Sequence, residues 1–390
     1  MTNRHIKICA LTTISKTMDW FIVDSMRNLS KNGYDVTLVC CMDDGFIERN
    51  SDYAKCINMP MSRGASIKDL FVIPLRLYRL FKRERYDIVY YTSPNVSLYA
   101  SVAAKMAGID CRYYSQCGLR YVSFTGFKRS LFKMVEKLTC LLSSTIRAQS
   151  PKNMEFAVRE GLTSVRKISV VGIGGTTGVD LKECDSFNRM NMRNELRKKY
   201  HIPDNAFVYG YVGRINADKG INELIRAFCA LQERLTDICL VLVGMIDETN
   251  PISPTLMRDA ESNKRIVFTG NVKPEEVYHH MAMFDVLTHP TYREGFGKVL
   301  QEAMGMELPI ITTNVPGPSE VVENGISGIL VKAMSSDDLK EKMLLLYNDS
   351  DTRKKLAHNG RKRAEKFFDR PIMLRNIQED LDKILNIELH

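Results

Sequence analysis

Residues 290–309 read PTYREGFGKVLQEAMGMELP, and a change of pattern inside them decides the fold. A polar turn closes on Glu294-Gly295-Phe296-Gly297. From Lys298 onward, Val299, Leu300, Ala303 and Met304 recur at helical spacing on one face. The helix is expected to stop near Gly305, and Pro309-Ile310-Ile311-Thr312-Thr313 then reads as a strand. Two glycines let the backbone approach a ligand closely, and a helix start presents unpaired N–H groups. Such a turn suits an anion or an oxygen-rich sugar. Glu294 and Glu302 lie eight positions apart. At 100° per residue that separation leaves them about 80° apart on a helix, so both carboxylates can flank one ligand. The plain alternative is two solvated glutamates beside an ordinary glycine turn.

Upstream, Tyr209-Gly-Tyr-Val-Gly213 is a short strand, followed by Arg214-Ile-Asn-Ala-Asp-Lys219-Gly220 and a helix from Ile221 to Leu235. An arginine and a lysine between a strand and a helix form a natural diphosphate clamp. The alternative is two surface charges at a helix cap. Two cations for phosphates and two carboxylates for hydroxyls together describe a nucleotide-sugar pocket.

The rest of the chain alternates strands with helices. In the first half, strands are expected at 6–11, 36–41, 88–91, 112–115 and 168–171, with helices at 20–30, 67–82, 96–107 and 124–142. A second series starts at Phe207, with strands at 207–212, 238–243, 266–268, 286–288, 310–312 and 328–331. This alternation implies parallel, doubly wound sheets, whose ligands sit beyond the carboxyl ends of the strands. The loop Thr12–Thr17 after the first strand is therefore a candidate pocket wall, with Ser15 and Lys16 in it. Gly172 to Gly178 is a turn rich in glycine that leads out of the first domain, and residues 337–389 are mostly helical.

With 390 residues, 44% apolar and 26% charged, the chain has the composition of a soluble two-domain protein. No apolar run approaches the ~20 residues needed to span a bilayer. The opening MTNRHIKICAL carries only a strand-length apolar piece, so a cytoplasmic location is expected. Ten cysteines are scattered without a C-x-x-C pair, and His279, His280 and His289 lack ligand spacing, so no metal site is expected. The net charge of +9 is uneven: residues 1–180 carry 26 Lys and Arg against 15 Asp and Glu, and residues 181–390 carry 29 against 31. A basic first half points to an anionic partner. No nucleic-acid module is present, which leaves anionic lipid or a lipid-linked diphosphate. In 124–142, Phe127, Leu131, Val135, Leu138 and Leu142 share a face, with Lys128, Arg129, Lys133 and Lys137 elsewhere. Such a helix can lie on an anionic membrane, each well-placed cation contributing about 1 kcal/mol. The alternative is a packed helix with a solvated face; the charge asymmetry favours the membrane.

GRINADKG, FTGNV at 268–272, EGFGKVLQEAM and PGPSEVVENGISGILV, in that order, resemble the donor half of retaining glycosyltransferases of family GT4. Glu294 and Glu302 match the family's Glu-x7-Glu signature. The resemblance implies a GT-B fold, an α/β architecture of two Rossmann-like, doubly wound domains facing across a cleft. Residues 1–181, completed by a closing helix at 371–390, would be the acceptor-side domain, and 200–370 the donor domain. It implies that Arg214 and Lys219 stabilise the departing diphosphate, that Glu294 holds donor-sugar hydroxyls, and that Glu302 holds the ribose. Backbone amides around Gly295, Phe296, Gly297, Lys298 and Val299 would meet phosphate or sugar oxygens, with Val272 near the base. The expected co-substrate is a UDP-sugar, with no cofactor and no metal, since no Asp-x-Asp directly follows a strand.

Two departures stand out. Relatives carry a glycine pair in the first loop, where this chain has Ser15 and Lys16, and a histidine in the facing loop, where it has Gln116 or Cys117. Gln116 is a candidate acceptor contact, and Arg120 beside it a candidate contact for an anionic acceptor. The reading is a transferase that elongates a polyprenyl-diphosphate-linked or other lipid-linked glycan, peripheral on the inner face of the cell membrane. Its rivals are a soluble transferase with a small acceptor and a non-catalytic nucleotide-sugar-binding module.

Overall fold

Ile6–Ile14, the first strand (β1), is apolar on both faces because it is buried on both. Its neighbours β2 (Tyr34–Cys41) and β4 (Ile88–Tyr91) run parallel to it on either side. In the computed structural model, which describes residues 6–62 and 66–388 and omits the side chains of 120, 123 and 386–388, these belong to a sheet of seven parallel strands. Its order is β3-β2-β1-β4-β5-β6-β7, with β3 at Ala54–Asn58, β5 at Cys111–Gln116, β6 at Thr145–Ala148 and β7 at Ile168–Val170. Two of these strands escape sequence reading. β3 (AKCIN) and β6 (TIRA) are short, and Lys55, Asn58 and Arg147 break their apolar runs.

Each face of this sheet is closed by helices, as parallel sheets require. One side is covered by helices Ile67–Glu84, Pro94–Ala107 and Gly126–Leu142, through Ile73, Leu77, Tyr99, Ala103 and Cys140. The other takes Met18, Ile22 and Met26 together with Ile377, Leu381 and Ile384 of the last helix, Arg370–Glu388. Asp380 fastens that helix. It accepts two-pronged bonds from Arg147 at 2.8–3.0 Å and another from the Tyr113 hydroxyl at 3.0 Å. The expected loop at Thr12–Thr17 is corrected: β1 continues to Ile14 and a helix starts at once with Ser15. The following helix is broken at Ile22, dividing it into Ser15–Phe21 and Val23–Lys31.

The second unit holds six parallel strands in the order β10-β9-β8-β11-β12-β13. They are β8 (Phe207–Val212), β9 (Ile238–Val243), β10 (Ile266–Gly270), β11 (Val286–His289), β12 (Ile310–Thr313) and β13 (Ile329–Val331). The two compact units are residues 1–177 with 371–390, and residues 178–370. Both are Rossmann-like.

Candidate functional site

In the second sheet, β9 lies on one side of β8 and β11 on the other, so the strand order reverses between β8 and β11. The loops leaving the carboxyl ends of these two strands frame the crevice where doubly wound sheets bind ligands. They are the two stretches singled out by sequence, 213–220 after β8 and 290–297 after β11.

The loops are joined along their length. The Tyr292 N–H donates to the Asp218 carbonyl at 2.9 Å, and Arg293 pairs with the Asp218 carboxylate at 2.5 Å. Gly220, at φ +71°, lies against Pro290: a Cβ there would sit 2.0 Å from the Pro290 carbonyl oxygen. Asn216 shapes the approach, its Oδ1 accepting from the Lys219 amide at 3.1 Å. The result places the Lys219 ammonium directly on Glu294 Oε2, with these side chains 15% and 25% exposed. Burial alone would raise the Glu294 pKa. The adjacent Lys219 charge and the His289 ring override it and hold the carboxyl well below its ordinary range.

His289 ends β11 beneath this pair, buried, with Nε2 3.6 Å from Glu294 Oε2. Its ring stacks on Tyr211 at 5.6 Å and 9°. Burial holds the imidazole below its usual pKa, with the Lys219 charge acting in the same direction against the pull of Glu294.

Arg214 does not join Lys219 at Glu294. It pairs with Asp247 Oδ2 at 2.5 Å and is 60% exposed. Asn216 Nδ2 donates to the same oxygen at 3.0 Å. The Thr249 hydroxyl, ahead of Asn216 and Arg214, draws the Asp247 pKa down to about 2 against the effect of burial. Both cations flank the crevice, each resting on an acid.

The helix runs from Lys298 to Gly305, with Gly297 at φ +99° as its N-cap. Glu294 therefore precedes the helix, and the helical-wheel relation between Glu294 and Glu302 does not apply. Glu302 lies on the helix with Lys298 Nζ 3.8 Å away. The Lys298 and Val299 amides fall in the first turn, where no intrahelical acceptor exists. Phe296 is buried edge-on to Phe368 at 5.8 Å, so only its backbone serves the crevice. The Gly295 carbonyl lies against the backbone of Gly317, whose own Cβ would come within 3.0 Å of it. Val272 is half-buried in the loop after β10.

In the first unit, the Ser15 hydroxyl donates to Asp43 Oδ2 at 2.6 Å, and Lys16 lies over the Trp20 ring at 4.9 Å. Gln116 is corrected as an acceptor contact. It is buried and donates to Glu136 Oε1 at 2.7 Å beside the Tyr114 hydroxyl, which donates to the same oxygen at 2.8 Å. Cys117 follows, its thiol within 3.0 Å of the Thr92 hydroxyl. Arg120 lies in the turn Arg120–Ser123, its side chain outside the described residues. Lys133 pairs with Glu160 at 2.9 Å, with Arg129 at 3.5 Å on the same oxygen, and Lys128 lies over Phe124 at 4.4 Å. Among the described residues no group of His, Cys, Asp or Glu could hold a metal ion.

The family profile for glycosyl transferases group 1 matches residues 192–363, and the profile for glycosyl transferase 4-like domains matches residues 7–150. The Staphylococcus aureus capsular polysaccharide biosynthesis glycosyltransferase CapM is 32% identical over 385 residues, covering 98% of this chain and 97% of CapM. The chain belongs to the group 1 glycosyltransferases.

An Escherichia coli relative, UDP-Gal:alpha-D-GlcNAc-diphosphoundecaprenol alpha-1,3-galactosyltransferase, is 24% identical over 82% of each chain. Among solved structures, Anabaena Alr3699/HepE in complex with UDP and glucose matches with a TM-score of 0.80 at 19% identity, over 97% of this chain and 100% of that one. Sucrose-phosphate synthase from Thermosynechococcus elongatus matches at 0.79 and 17%, over 98% and 100%. The glycosyltransferase thus has the GT-B fold. Its crevice contains residues that sequence reading passed over. His289, whose sequence spacing offers it no metal-ligand partner, stands directly before the Pro290 turn. Asp247 and Asp218 are distant in sequence from the cations they pair with, and no local signal marks them.

Proposed function

We propose that this glycosyltransferase moves a hexose or N-acetylhexosamine-type sugar, with retention, from a UDP-sugar to a polyprenyl-diphosphate-linked or other lipid-linked glycan in capsule, O-antigen or related surface-polymer synthesis. The observation that carries the reading is the Lys219–Glu294 pair at the switch point of the second sheet. Whole-length similarity to CapM, and a relative whose name specifies a diphosphoundecaprenol acceptor, support the polymer and the acceptor class. The UDP and glucose held by the HepE structure support the donor.

In this reading an acceptor hydroxyl oxygen bonds to the anomeric carbon on the face the diphosphate vacates, and its proton passes to the departing diphosphate. The bond from that carbon to the diphosphate oxygen breaks, and its electron pair stays on the diphosphate. Lys219 is fixed where that charge grows, so it lowers the barrier and does more than hold the donor. Arg214 swings from Asp247 to the same diphosphate, which its exposure permits. Glu294, kept ionised, accepts from sugar hydroxyls, and Glu302 from the ribose. The Phe296, Gly297 and Lys298 amides meet phosphate or sugar oxygens. No metal is assigned a part. The transferase works at the inner face of the cell membrane as a peripheral protein; no described helix is long and apolar enough to cross a bilayer.

A thermal-shift screen of UDP-, GDP- and ADP-sugars, followed by transfer assays with the stabilising donor, tests this. Saturating stabilisation by a UDP-sugar is expected, with transfer abolished in a folded Glu294→Ala variant. A wild type that binds UDP-sugars but turns none over would instead be a binding module.

A further inference from the structure

The helix layer on one side of the first sheet carries a surface that the transfer site does not use. Helices Ile67–Glu84, Pro94–Ala107 and Gly126–Leu142 lie side by side and share one core. The middle helix is buried along most of its length, whereas the two flanking helices turn large apolar side chains outward. On Gly126–Leu142 the exposed stripe is Phe127, Leu131, Met134, Leu138 and Leu141. Its inward side holds Glu136, Thr139 and Cys140, with Glu136 bonded to Tyr114 and Gln116 of the sheet. The apolar stripe therefore faces out, the reverse of a packed helix with a solvated face. On Ile67–Glu84 the exposed set is Ile67, Leu70, Phe71 and Leu75. Ile67 and Phe127 are each 82% exposed, and Phe71 and Leu141 are 70% and 71%.

Cations border both stripes. Lys68, Arg76, Arg79 and Lys82 are exposed on the first helix and Lys128 and Lys137 on the other. None of the six has an ion-pair partner among the described residues. The acids are already engaged: Asp69 accepts from the Ser62 amide at 2.8 Å, and Glu84 pairs with Lys55 and Arg83. Crossover helices run back against parallel strands, so both flanking helices begin at the carboxyl edge of the sheet, where ligands arrive. Ile67, Phe71 and Phe127 lie at those beginnings.

We propose that the two outward faces together form a bilayer-docking surface. Ile67, Phe71, Phe127, Leu131 and Leu141 enter the acyl boundary of an anionic membrane, and the bordering lysines and arginines meet headgroup phosphates. The purpose of this docking rests on the lipid-linked acceptor reading, because it brings the sheet edge to the depth of a headgroup diphosphate. The occupant is a bilayer and not a second copy, since a two-fold contact would set these unpaired cations against one another. Protein interfaces, moreover, are depleted in lysine.

The test is sedimentation with phosphatidylcholine vesicles, with and without phosphatidylglycerol, at about 0.1 M and about 1 M salt, between which screening shortens from ~10 to ~3 Å. Wild type is expected to bind the anionic vesicles and to keep part of that binding at high salt through the apolar insertion. The double variant F71E/F127E should bind at least ~10-fold less, each lost side chain removing several buried CH₂ groups. Its melting temperature and its turnover of a water-soluble short-chain acceptor should match wild type. Wild type that ignores anionic vesicles, or a double variant that binds as well as wild type, overturns the proposal. So does wild-type self-association that F71E/F127E abolishes. Vesicle binding as expected, with no transfer to any lipid-linked acceptor, supports the docking surface and removes the acceptor reading instead.

Discussion

Replacing Lys219 with methionine separates the two tasks assigned to it. In the free protein its ammonium sits on Glu294, and removing it leaves a largely shielded carboxylate with the His289 ring at 3.6 Å. A hydrogen bond to a charged group contributes about 1.5–3 kcal/mol, and partial exposure keeps the loss below the ~3–5 kcal/mol of a fully buried pair. At about 2–4 °C per kcal/mol for a domain of this size, the melting temperature should fall by roughly 3–12 °C. The rate should fall further, because a fixed donor facing charge that grows in the transition state contributes about 10²–10³ in kcat. Steady-state kinetics should therefore show the loss mainly in kcat. The double variant K219M/E294Q should regain most of the lost melting temperature, since the uncompensated charge is gone, while staying inactive. A K219M enzyme with kcat within about threefold of wild type would refute the assignment of this cation to the leaving group.

Other expectations follow from particular contacts. His289→Phe keeps a ring to stack on Tyr211 but removes two buried ring nitrogens that have no hydrogen-bond partner among the described residues of the free protein; donor kcat/KM should fall about 10-fold, the equivalent of one hydrogen bond made only when the donor is bound, with melting unchanged. Gly220→Ala forces a Cβ to within 2.0 Å of the Pro290 carbonyl at φ +71°. The left-handed conformation alone costs about 1–2 kcal/mol, so melting and donor binding should both drop. Glu136 is a buried acid whose pKa burial raises, partly offset by Gln116 and Tyr114. The folded state therefore holds its proton to higher pH than the unfolded state, and stability should decline as pH rises past about 4.5. Glu136→Gln should flatten that part of a melting-versus-pH curve. Glu294 has the opposite sign: its stabilisation is present above about 4.5 and is lost as pH falls, and E294Q should remove that acid-side loss.

The fold was legible wherever burial on both faces wrote a continuous apolar run, as in β1, β8 and β9. It was not legible where a strand carried its own long-range partner. Arg147 reads as an interruption of TIRA until Asp380, 233 residues away, closes on it. The same limit governs the site. The two loops and the residues Lys219 and Glu294 could be read from glycines, charges and helix starts. That Arg214 would rest on Asp247 depends on where the loop after β9 places the backbone. That Glu294 precedes the helix was already written in a periodicity that starts at Lys298; only its supposed 80° relation to Glu302 failed, because the Gly297 turn lies between them. Helical spacing revealed an apolar stripe near Phe127 but not its direction, because that was set by Glu136 bonding to Tyr114 and Gln116 on the sheet.

Calorimetric titration of a UDP-sugar into wild type, K219M and E294Q tests the central claim most directly. Wild type should bind one donor per chain, with K219M weakened at least ~10-fold by loss of one charge-assisted phosphate contact and E294Q weakened toward the sugar-bearing donor more than toward UDP alone. Equal affinity in all three proteins would place the donor elsewhere and contradict the account.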